Sequence, residues 1–100
     1  MVELSIDQAD NIENLLNRLV NDTGFFLDDE SLSAVKDYIA HREYEMAFEG
    51  FFMELIEKQI QPVGFEIYHD LGKELGLDRE SVFDALFWQK FSFWLGNSCA

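Results

Sequence analysis

Between Arg42 and Gln59, apolar residues recur at every third or fourth position, through Tyr44, Ala47, Phe48, Phe51, Phe52, Leu55 and Ile56. An α-helix gathers such positions onto one side, whereas a strand would scatter them over both faces. The resulting apolar arc is wider than the stripe a surface helix needs. This segment is therefore expected to be the central helix of a bundle, with Glu43, Glu49, Glu54 and Glu57 on its remaining, exposed surface.

The same period appears on both sides of it. From about Ser5 to Asn21 the residues Ala9, Ile12, Leu15, Leu16, Leu19 and Val20 form one face, with Asp7 and Asp10 near the end where the helix dipole favours acids. Asn21-Asp22-Thr23-Gly24 should stop this helix with Gly24 left-handed, and Phe25, Phe26 and Leu27 should anchor the connection in the core. A second helix is expected from about Asp29 to His41, N-capped by Asp28 or Asp29, with Leu32, Val35, Tyr38 and Ile39 inward.

Pro62 should sit at a turn or helix start, followed by a fourth helix from about Gly64 to Leu75 through Phe65, Tyr68 and Leu71, closed by Gly76. Asp78 is placed to cap a last helix, about Arg79 to Leu95, burying Val82, Phe83, Leu86, Phe87 and Trp94. Trp88, Phe91 and Leu95 form a second side, which is either further core or a docking or dimer surface. One Pro and six Gly leave few interruptions among 100 residues, enough chain for one core. The expected fold is all-α, a compact bundle of about five helices in a single domain over residues 1–100.

Twenty acids against seven bases give a net charge of −13, the only large anomaly of composition. Nucleic-acid binding depends on cations that neutralise phosphate, so direct contact with DNA, RNA or an anionic lipid surface is not expected. A basic protein is the natural complement. The single cysteine, Cys99, permits no intrachain disulfide and suits a reducing cytoplasm, and neither a signal peptide nor an apolar run of membrane-spanning length is visible.

The motifs that would carry chemistry are incomplete. Glu66-Ile67-Tyr68-His69 has the Glu-x-x-His spacing of a carboxylate-bridged di-iron bundle, but that site needs a second copy, and His41 has Tyr38 three residues before it. His69 is expected on the surface. Cys99 lies too near the terminus to be held as a nucleophile, acid pairs such as Glu45 and Glu49 are expected to face solvent, and no glycine loop for phosphate is present. No catalytic residue, cofactor or metal is expected. Glu30-Ser31-Leu32 resembles the Asp-Ser-Leu attachment site of acyl carrier proteins, with Glu in place of Asp, although Ser31 also suits an ordinary first helical turn.

Residues 34 to 77 resemble the Maf-type immunity proteins of bacterial polymorphic toxin systems, which are similar in role to the immunity proteins of contact-dependent growth inhibition. The resemblance is carried by Tyr38-Ile39-Ala40-His41-Arg42-Glu43-Tyr44-Glu45-Met46-Ala47-Phe48-Glu49, then Leu55, Ile60 and Pro62, then Tyr68, Gly72, Leu75, Gly76 and Leu77. It implies a cytoplasmic protein that binds and neutralises a cognate toxin C-terminal domain, expected to be a basic nuclease and first of all an RNase. The candidate toxin-binding residues are Asp28, Asp29, Glu30, Glu45, Glu49, Glu54 and Glu57, with Trp88 as an aromatic anchor. His41 and Glu43 have structural readings at the end of the second helix and the start of the third. Two further functions stay open: an acidic adaptor or homodimerisation module and, behind it, an acyl-carrier-like protein.

Overall fold

The central helix forms as its apolar spacing requires, over Tyr44–Glu57 (α3), and the other elements dock around it. In the computed structural model, which describes residues 6–60 and 64–96, these are α1 (Ile6–Thr23), a 3-10 turn (Gly24–Phe26), α2 (Asp29–Ala40), α4 (Ile67–Glu74) and α5 (Phe87–Gly96). No strand occurs among the described residues. Ser5, Pro62 and Cys99 lie outside them, so the first helix's expected start, the proline turn and the cysteine are not placed. The Cα radius of gyration, 12.6 Å, matches the roughly 13 Å of a single compact domain of this length.

Phe48, Phe51, Phe52 and Leu55 of α3 are fully buried. Each such side chain contributes about 1.5–3 kcal/mol relative to exposure. Phe52 meets Phe91 and Trp94 of α5 at ring-centroid distances of 4.9 and 5.8 Å, and Phe65 and Tyr68 at 5.8 Å each. The Trp94 indole N–H donates to the Ile60 carbonyl at 2.8 Å, which ties α5 to the end of the α3 segment. From the other side α1 contributes Ile12, Leu16 and Leu19, and α2 contributes Val35 and Ile39.

Three helices end alike. Past α2, α3 and α4 the residues Arg42, Gln59 and Gly76 have φ of 59°, 56° and 80°. The amide two residues beyond each helix cap bonds back five residues, Glu43 to Tyr38, Ile60 to Leu55 and Leu77 to Gly72. This is the Schellman arrangement, which satisfies carbonyls the helix leaves open. His41 ends α2, its Nδ1–H donating to the Asp37 carbonyl at 2.8 Å, and Glu43 stands at the N-cap position of α3. At the start of α2, Asp28 is the N-cap and accepts the Ser31 N–H at 2.7 Å.

Two expectations about connections are corrected. Gly24 does not adopt positive φ; a Cβ there would stand 3.0 Å from Leu32 Cδ1, so the residue is small for packing. The chain after it is anchored by Leu27 and partly by Phe26, while Phe25 points outward, 74% exposed.

The last helix departs most from its expected form. It begins at Phe87, not Arg79, and Asp84 rather than Asp78 organises its start: Asp84 Oδ1 accepts the Leu86 N–H at 2.9 Å and its carbonyl accepts the Phe87 N–H. Val82, Phe83 and Leu86 are consequently exposed, not buried, whereas Phe87, Phe91, Trp94 and Leu95 join the core. The turn after α4 continues through bonds from Arg79 and Glu80 to the Gly76 carbonyl, and an irregular loop follows.

Candidate functional site

The cause of that irregular loop is a carboxylate in the core. Glu49, at the flank of the apolar arc of α3, has no solvent exposure, which corrects its expected place on the surface. Its Oε1 accepts the Val82 N–H at 2.7 Å, and its Oε2 accepts the N–H groups of Phe83 at 2.7 Å and Asp84 at 2.8 Å. A buried carboxylate is tolerated only with such partners, and bonds this short to an ionised acceptor are the strong kind. The Phe83 and Asp84 amides, given to this side chain, cannot close helical bonds to the carbonyls of residues 79 and 80, so no helix runs on from Arg79.

The loop is held at its far end as well. Asp84 Oδ2 pairs with Lys90 Nζ at 2.7 Å, and this pairing, ahead of the Leu86 N–H bond, keeps the Asp84 carboxyl below the usual aspartate range. With its backbone fixed inward, the loop turns Val82, Phe83 and Leu86 outward, 42, 50 and 51% exposed. The Phe83 ring rests near Tyr38 of α2, with centroids 6.2 Å apart. Beside Val82 opens a groove of about 720 Å³, walled by Tyr44, Glu45 and Met46 of α3 and by Leu75 and Arg79. Tyr44 donates its hydroxyl to Glu13 Oε1 at 2.9 Å; burial first, then that bond, raises the phenol's pKa.

The other candidate residues fall into separate places. Asp28, Asp29 and Glu30 are exposed at the start of α2, and Glu57 is exposed at the end of α3, where the positive charge of Lys58 reaches Asp28. The Ser31 bonds lower the Asp28 carboxyl more than Lys58 does. Glu45 lies in the first turn of α3, at the opposite end of that helix, and Glu54 is half-buried rather than freely exposed. No single surface collects all seven acids.

Trp88 is not a free anchor. It is half-buried, its ring 5.0 Å from His69 and 5.4 Å from Phe91, and it leans on Gly72, where a Cβ would come within 2.6 Å of Trp88 Cζ3. His69, expected on the surface, is likewise half-buried in this stack.

Sequence reasoning missed the loop 82–86 and the role of Glu49. Ser31 is engaged through its N–H as a first-turn residue of α2. Among the described residues no group of three His, Cys, Asp or Glu side chains is arranged to hold a metal, and no helix is long and apolar enough to cross a membrane. The all-α scaffold presents exposed acids and, on the loop held by Glu49, three exposed apolar side chains. Comparison with protein-family models, curated proteins and solved structures finds no match to this chain.

Proposed function

We propose that this protein is an immunity protein, a stoichiometric inhibitor that binds a basic bacterial toxin domain of the nuclease class and blocks its action in the cytoplasm. The observation that carries the reading is its charge: −13 over 100 residues, on a scaffold where every described carboxylate except Glu49 reaches solvent. A nuclease must attract phosphate and therefore tends to be basic. An acidic, preformed surface meets it with long-range attraction and little loss of chain entropy. The resemblance of residues 34–77 to Maf-type immunity proteins supports the same reading.

The test is co-expression with the toxic C-terminal domain encoded beside this chain's gene. Relief of growth arrest, together with a one-to-one complex on size exclusion at low salt, is the expected result. Unrelieved arrest with no complex would overturn the proposal, and recovery of a housekeeping complex with no toxin would favour the acidic adaptor instead.

A further inference from the structure

We infer that the apolar face formed by Val82, Phe83 and Leu86, on the loop that Glu49 pins, is the docking centre for a basic protein partner. The inference rests on the functional reading above and locates its interface. This core encloses three phenylalanines of α3 completely, yet it leaves three large apolar side chains within five residues half in water. These are not frayed chain. Their backbone is fixed by three amides on one buried carboxylate and by Asp84 at the start of α5, so little conformational freedom remains to be lost on binding. An apolar centre with a polar rim is the anatomy of a binding hot spot.

Charge selects the occupant. The loop with its flanks, residues 78–90, and the groove wall beside Val82, residues 42–45, carry five carboxylates against three bases, and the whole chain carries −13. A second copy would bring like charge onto like charge, and nucleic acid would be repelled. The complementary partner is a protein whose apolar socket is rimmed by Lys or Arg. The acids predicted from sequence at residues 28–30 and 57 then contribute through the long-range field, while the loop supplies contact.

The experiment titrates the full-length, ¹⁵N-labelled chain with two probes, the neighbouring toxin domain and an amphipathic Leu/Lys peptide, at 300 mM salt. Shift changes should concentrate at residues 79–86 and 42–46 with both probes. Phe83→Ser and Leu86→Ser should each raise the Kd about tenfold or more, while Phe93→Ser, at an aromatic 72% exposed elsewhere, should change it less than about twofold. Circular dichroism and urea midpoints establish that the variants fold, and the wild-type footprint needs no variant.

Tight toxin binding that ignores Phe83→Ser and Leu86→Ser overturns this inference and leaves the immunity reading standing. Peptide binding at the loop without any toxin complex does the reverse. Shifts spread over α1 and the start of α2, or a concentration-dependent homodimer abolished by Phe83→Ser, would also overturn the choice of face or occupant.

Discussion

Replacing Glu49 with Gln tests the pinning of the loop with almost no change of shape. The carboxylate accepts three N–H bonds of 2.7–2.8 Å, two on Oε2 and one on Oε1. An amide keeps one acceptor oxygen and turns an NH₂ toward the remaining donor. With its carbonyl toward Phe83 and Asp84, the Val82 N–H loses its partner, which costs about 1–3 kcal/mol. The two surviving bonds become neutral and lose about half their strength. Some of this is offset because a charge no longer has to be buried. The net expectation is a loss of about 2–4 kcal/mol, concentrated in the loop.

Hydrogen exchange at the amides of residues 82–84 should then accelerate about 30- to 1,000-fold, since each 1.4 kcal/mol is tenfold. Urea unfolding should show a loss of overall stability within the same range. Glu57→Gln, on the exposed end of α3, should change stability by less than about 0.5 kcal/mol. Loop amides that exchange at the wild-type rate in Glu49→Gln, with an unchanged urea midpoint, would refute the reasoning.

Further outcomes follow from single positions. Gly72→Ala should destabilise by about 1–3 kcal/mol despite the better helix propensity of Ala, because the new Cβ meets Trp88 at 2.6 Å; equal or higher stability in urea would contradict that contact. Gly50→Ala, also helical but with open space where the Cβ would go, should stabilise by about 0.5–1 kcal/mol in the same assay. Gln59→Gly should stabilise by a similar amount, about 0.5–1 kcal/mol, by removing a left-handed non-glycine residue, and a loss of stability would count against the φ of 56°. Asp28 has a lowered pKa in the fold, so its contribution is present above the unfolded aspartate value and is lost as pH falls through the folded one. Wild type should therefore be the more stable above about pH 4, and its advantage over Asp28→Asn, which keeps a capping oxygen, should shrink as pH falls below that; a gap constant down to pH 2 would argue against the Ser31 bonds as the cause.

Much of the scaffold was legible because it rests on local rules. The apolar periods of α1, α2 and α3 found their helices, Asp28 was recognisable as a cap, and Gly76 as a helix end. The start of α5 was not legible because Val82, Phe83, Leu86 and Phe87 have helical spacing, while the group that diverts their backbone stands 33 to 35 residues earlier. Glu49 gave a faint signal, since it flanks the arc beside Phe52 and Ile56, but surface acids stand at such edges too. Arg42 and Gln59 gave no sign of their left-handed backbone, because glycine is the usual mark of such a terminus. Trp88 was read as an anchor because a large aromatic invites that role; Gly72, which makes room for it on the neighbouring helix, is visible only once α4 and α5 are packed.

The proposed inhibition depends on electrostatic attraction between this acidic chain and a basic toxin domain. Stopped-flow association of the two, measured at 50 and 500 mM salt, addresses it most directly. Association should slow at least about tenfold at the higher salt while dissociation changes far less. A rate of association indifferent to salt, or no association at all, would contradict it.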